Sequence, residues 1–257
     1  MNIDMLKVRM GRPVDISITD KHEIRVYHPV MKEIIDMGED EFQKMVIPFI
    51  LTTDAVFAGA ENIDELKSKF HIYDLFFLED EKGKTILDDN VFDGRNALEV
   101  LCKSLSFFLK TDKVLPLKIR RKIGISGSYV IDKKEFGLIR KAVQAILGRG
   151  DIEVEQPPKD MSKRQRDIWI KLQKGRRRKA EKEAIYLQDT INYVQFGGRS
   201  FIPDKEIEQM TYYQLHNAYR SIIGVDSYLT GLQYKLSQKF EVKEEIKHWS
   251  ESLKIGR

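Results

Sequence analysis

Residues 159–182 read KDMSKRQRDIWIKLQKGRRRKAEK, eleven Lys and Arg against three acids, and they divide the chain into two unlike halves. Up to Gln156 there are 24 basic and 27 acidic residues, a net of −3; from Glu183 to Arg257 there are 9 and 10, a net of −1. The formal charge of +4 therefore comes from one run of +8 that opens after Pro157-Pro158. Such asymmetry predicts an arm that touches something acidic, not a uniformly basic nucleic-acid binder.

Working outward, 257 residues can bury a sizeable core and are expected to split into more than one unit. The longest apolar run, Met45 to Leu51, is far short of the roughly 20 residues of a membrane span. The opening MNIDMLKVRM lacks the apolar core of a signal peptide, and Cys102 is the only cysteine. A protein of the cytoplasm, with Cys102 as a buried thiol on an amphipathic helix, is the expectation.

Before the basic run, the pattern predicts an α+β domain over 1–150. Leu6–Arg9, Val14–Ile18 and Ile24–Tyr27 alternate like short strands of a hairpin or meander. Pro29 fits a first helical position, and Pro48 is expected to kink or end the helix that holds it. Asn62 and Asp132 read as helix caps; Asn96–Leu109 is the strongest helix of this half, capped by the acids before it, and Lys133–Leu147 is a second helix with Gly148 the stop.

Residues 151–183 read as a basic linker or helix, and 184–257 as a mainly α-helical C-terminal region. Ala180, Ala184, Leu187, Ile191 and Val194 step by 4, 3, 4, 3, a short heptad seam ending at Gly197-Gly198. Thr211 and Gln214 form a capping box for a helix that Gly224 should stop. Asp226 should cap a second helix, and Ile246, Trp249 and Leu253 mark a third.

The chemistry-bearing motifs each fail at a named position. Gly83-Lys84-Thr85 lacks the glycine five residues upstream that a phosphate loop needs, because that position is Leu78. Gly124-Ile125-Ser126-Gly127-Ser128 lacks the closing glycine of a nucleophile elbow and reads as a flexible loop. Asp89, Asp93 and Gly94 imitate a calcium loop with Val91 and Val100 at ligand positions. The five histidines are scattered, without metal-ligand spacing. No catalytic residue, cofactor or metal is expected.

Two stretches carry a family likeness. IRVYHPVMKEIIDMGEDEFQKMVIPFILTTDAVF (24–57) with IYDLFFLED (72–80) is one; the charged helix running into MTYYQLHNAYRSI (210–222), with KHWSESL (247–253), is the other. The arrangement resembles the tail assembly chaperones of long-tailed bacteriophages and prophages, encoded just ahead of the tape-measure protein. That resemblance implies a non-enzymatic chain with a globular N-terminal domain and a helical extension, often added by ribosomal frameshift. It implies that the tape-measure protein and tail-tube subunits are partners in the host cytoplasm, with self-association open. The C-terminal half is longer and more ordered-looking than many such tails. Arg176, Arg177, Arg178, Leu215, Tyr219, Ile222 and Trp249 are the expected partner-binding residues. Two other readings stand beside it: a nucleic-acid-associated phage protein using 159–182, and a structural tail or neck component of the virion.

Overall fold

The computed structural model describes residues 3–19, 22–58, 60, 62–127, 129–156, 161–237, 246 and 248. In chain order the elements are α1 (Met5–Arg9), β1 (Val14–Thr19), β2 (His22–Val26), α2 (Met31–Met37), α3 (Glu39–Ile50) and α4 (Thr53–Val56). They continue with α5 (Ile63–Lys69), α6 (Ile72–Leu75), α7 (Ile86–Asn90), α8 (Ala97–Leu109), β3 (Val114–Leu117), β4 (Lys122–Ile125) and β5 (Tyr129–Ile131). Last come α9 (Lys133–Leu147), α10 (Lys163–Lys182), α11 (Leu187–Phe196), α12 (Asp204–Gln209) and α13 (Tyr212–Leu236). Helices dominate and the strands form two small antiparallel sheets, β1-β2 and β3-β4-β5, so the fold is α+β with a helical C-terminal region.

The chain folds into two units, and neither is continuous. The first gathers residues 1–3, 13–27 and 37–184; the second gathers 4–12, 28–36 and 185–257. A division at residue 150 would instead keep 4–12 and 28–36 with the N-terminal domain. Backbone bonds explain their grouping: the Met31 amide donates to the Met210 carbonyl (2.8 Å) and the Tyr212 amide to the Pro29 carbonyl (3.0 Å).

The first unit is built on aromatic packing. Phe49 meets Phe108 edge-on at 5.2 Å and stacks with Phe136 at 6.0 Å, and Tyr73 lies 5.1 Å from Phe136. The buried Tyr73 hydroxyl donates to the Ile131 carbonyl across 3.0 Å, so its ring is fixed at both ends. On α8, Leu98, Leu101, Leu105 and Phe108 are buried as their spacing predicts, and the Asn96 side chain accepts from the Glu99 amide. Asp132 and Glu135 make a reciprocal capping box at α9, and Gly148 closes that helix at φ 62°. Burial pushes the Cys102 thiol up to about 11, with Glu99 adding to it, which suits an inert core thiol.

Several local expectations are corrected. Leu6–Arg9 is helical: Asp4 accepts from the Leu6 and Lys7 amides at 3.0 and 3.3 Å, and Val8 is the helix's buried residue. Four alternating residues fit one helical turn as well as a strand, and the cap decides. Pro48 lies in the last turn of α3, and the helix ends two residues after it at Ile50, in keeping with the expectation that Pro48 closes it. A proline in the last turn forfeits one helical bond, and Arg140 and Gln144 take up the Phe49 and Leu51 carbonyls beyond it. The helix at Asn62 forms without a side-chain cap bond. Gly124–Gly127 is not a flexible loop: Gly124 and Ile125 pair with both neighbouring strands, and Ser126 and Gly127 turn the chain at positive φ.

The C-terminal expectations change too. The seam from Ala180 to Val194 is interrupted, because the chain leaves α10 at Lys182 and re-enters helix at Leu187. Ala180 and Ala184 are exposed, whereas Leu187 and Val194 are buried. Helix α13 runs 25 residues straight through Gly224. One glycine costs a helix about 1 kcal/mol, and the Asp226 carboxylate that would have capped a new helix is engaged by Tyr193 instead. The third expected helix falls mostly outside the described residues.

Candidate partner-binding surfaces

Helix α13 begins buried and ends exposed. The Thr211 hydroxyl accepts from the Gln214 amide at 3.2 Å, and Gln214 Oε1 accepts from the Thr211 amide at 2.9 Å. Tyr212, Tyr213 and Leu215 are buried, and no residue from His216 to Leu236 is. From His216 to Val225 the helix is mostly half-buried, and further along Gly231 lies against Ile246 and the Tyr228 ring meets His248 edge-on at 4.9 Å.

Helix α11 packs along part of that length. The Tyr193 ring meets Tyr219 edge-on at 5.4 Å, and its hydroxyl donates to Asp226 Oδ2 across 2.6 Å. The hydrogen bond to Asp226, more than partial burial, pushes the Tyr193 phenol up to about 12. At Gly197 a Cβ would sit 2.6 Å from the Tyr193 carbonyl oxygen, so only glycine lets the chain turn off α11 at this point. Gly198 then lies against Ile222, with 3.5 Å between its would-be Cβ and the Ile222 Cδ1. The result is an open groove of about 490 Å³, mostly apolar, lined by Gly198, Ser221, Ile222, Val225 and Leu229, with Arg199 and Asp226 at its rim.

A second surface is α10. Ser162 and Gln165 cap it reciprocally, and its cations leave it strongly basic. Ile168, Ile170 and Leu172 are 51%, 41% and 57% exposed, so three large aliphatic side chains stand in solvent among Lys and Arg. Among the described residues, Glu155 ties it to the segment before it, accepting from Gln173 at 2.8 Å and from Arg176 at 2.6 Å. Glu155 belongs to a segment that is itself pinned down. The Ile152 amide donates to the Ile50 carbonyl (2.8 Å), Thr52 Oγ1 to the Ile152 carbonyl (3.2 Å) and Arg140 to Asp151 (2.7 Å).

The expected binding residues thus separate. Arg176 is ion-paired and exposed, Arg178 is exposed, and the Arg177 side chain lies outside the described residues. Leu215 is core, Tyr219 packs on Tyr193, and Ile222 lines the groove. Trp249 lies outside the described residues. Sequence reasoning missed Gly197-Gly198 as the groove's floor, although a glycine pair after a helix was a visible signal. It also passed over Asp88, which is buried and accepts from the Thr85 hydroxyl (2.6 Å), the Thr85 amide (3.2 Å) and the Ala97 amide (2.8 Å). Asp89, by contrast, is exposed and paired with Lys84.

Among the described residues, no helix is long and apolar enough to cross a membrane. No curated protein and no solved structure matches the chain. The family model described as the YomV second domain matches residues 178–254, a stretch that starts in α10, contains α11, α12 and α13 and includes the groove. The C-terminal third is therefore similar to a phage-type protein family; the match suggests a phage protein, without pointing to the tail assembly chaperones in particular.

Proposed function

We propose that the chain is a non-enzymatic phage tail assembly chaperone that holds a long helical client, the tape-measure protein, and brings tail-tube subunits to it in the host cytoplasm. The observation that carries this reading is the apolar groove that α13 lines with Ile222, Val225 and Leu229. A helical client presents apolar residues at i, i+3 and i+4, and a helix laid along such a groove covers them. The basic helix α10, with exposed Ile168, Ile170 and Leu172, offers a second point of attachment that salt would weaken.

Co-expression with a tape-measure protein tests the reading. The full chain should keep that partner in the soluble fraction and be recovered with it. A partner that precipitates equally with and without the chain would sink the proposal. DNA binding that disappears on changing Arg176, Arg177 and Arg178 to Gln would favour the nucleic-acid reading. Recovery of the chain from purified virions would favour a structural component.

A further inference from the structure

The outer face of the β3-β4-β5 sheet is apolar, and nothing in the C-terminal surfaces accounts for it. Pairing places Leu115 opposite Gly124 and Gly124 opposite Val130, with Leu117 opposite Lys122. These residues alternate with Val114, Ile123, Ile125 and Ile131, which are buried, so they share the outward face. Leu115 is 67% exposed and Ile119, at the hairpin tip, is fully exposed. Gly124 leaves a notch between Leu115 and Val130, and a Cβ there would meet the Leu115 carbonyl and Leu117 only at ordinary contact distances of 3.7 and 3.9 Å. The glycine is not demanded by crowding or by its backbone.

The surrounding charge is one-sided. Residues 110–122 hold Lys110, Lys113, Lys118, Arg120, Arg121 and Lys122 against the single acid Asp112. Lys118 is paired with Glu79 at 2.7 Å, whereas Arg120 and Arg121 make no ion pair among the described residues. Pro116 sits on the edge strand β3, where it withholds an amide from any strand that would add there.

We infer that this face docks an acidic amphipathic helix of a partner protein. Leu115 and Leu117 lie ~6.7 Å apart on β3, and Ile119 follows in the short 3-10 turn Lys118–Arg120 at the strand's end. The i, i+4 residues of a helix recur every ~6 Å, close enough for Leu115 and Leu117 to take successive contacts, with Ile119 beyond them at the tip. The Gly124 notch receives one apolar knob, and Arg120, Arg121 and Lys122 meet the helix's acidic flank. A second copy of this chain would bring like charges together, Pro116 blocks a strand that would add at the β3 edge beside Leu115 and Leu117, and a lipid surface has no use for a notch.

The test uses the full chain and two designed helical peptides, one with a Leu stripe flanked by Glu and the other with Lys in place of each Glu. Fluorescence anisotropy should show binding of the acidic peptide, weakening as salt rises from about 50 to about 500 mM, and little binding of the basic one. Ile119→Ser combined with Leu115→Ser should weaken binding at least about tenfold. Gly124→Val, which fills the notch, should weaken it with an unchanged or raised melting temperature. Absence of acidic-peptide binding, equal binding of both peptides, or binding that survives both variants overturns the inference. Ile119-dependent binding to phosphatidylserine vesicles without peptide binding would assign the face to lipid and overturn it as well.

Discussion

The Tyr193 hydroxyl donates to the Asp226 carboxylate across 2.6 Å, joining α11 to the middle of α13 thirty-three residues further along the chain. That bond uses the acid which the sequence offers as a cap after Gly224, and it holds the wall of the apolar groove. Asp226→Asn should let the Tyr193 phenol titrate closer to its ordinary value of 10, instead of near 12, in an absorbance titration. Because the folded value is raised, the bond's contribution is complete below pH 10 and lost as pH rises from 10 toward 12. A Tyr193 titration unmoved by the change would show that Asp226 does not hold it.

His28 supplies an acid-side counterpart in the second unit. Its Nε2 lies 3.0 Å from the Arg12 carbonyl, its Nδ1 is buried with no hydrogen-bond partner among the described residues, and burial lowers its pKa below 6.5. A histidine whose folded pKa is depressed contributes stability that is whole above its unfolded value and falls as pH drops below about 6.5. Urea unfolding at pH 7.5 and 5.5 should show that loss, and His28→Gln should reduce it. An unchanged pH dependence in the variant would place the effect elsewhere.

Truncation at 150 should not yield a well-behaved protein. The buried Val8, Met31 and Ile34 belong to the unit that residues 185–257 complete. A fragment 1–150 should therefore bind more hydrophobic dye than the full chain and aggregate on concentration. A monomeric, cooperatively melting 1–150 fragment that binds no dye would contradict this division.

The core faces of Asn96–Leu109 and of the helix from Asp132 to Gly148 were legible because local and tertiary preferences agree there, but the capping role of Asn96 itself was not, the acids before it being the expected cap. Leu6–Arg9 was not, since four residues carry too little period for the pattern to outweigh the Asp4 cap. Nor was the passage through Gly224, where Asp226 is engaged by Tyr193 from another helix. The cations of α10 could be read directly from the sequence. The groove and the outer face of β3-β4-β5 could not, because both arise where glycines bring distant residues side by side: Gly198 against Ile222, and Gly124 between Leu115 and Val130.

Changing Arg176, Arg177 and Arg178 to Gln should move the melting temperature little. The Arg176–Glu155 pair is exposed on both sides, and such pairs contribute about 1 kcal/mol or less. Client binding should weaken and lose much of its salt dependence. A large drop in melting temperature would show that α10 is a packed element and not a docking arm.

The claim that α13 and α10 are the client surfaces is tested most directly by hydrogen–deuterium exchange on the full chain, alone and bound to a tape-measure protein. Binding should slow exchange over 216–230 and over 165–175, and Ile222→Asp with Leu229→Asp should abolish the first effect while leaving the aromatic core of the first unit protected. Protection that appears elsewhere and leaves both segments unchanged would contradict the account.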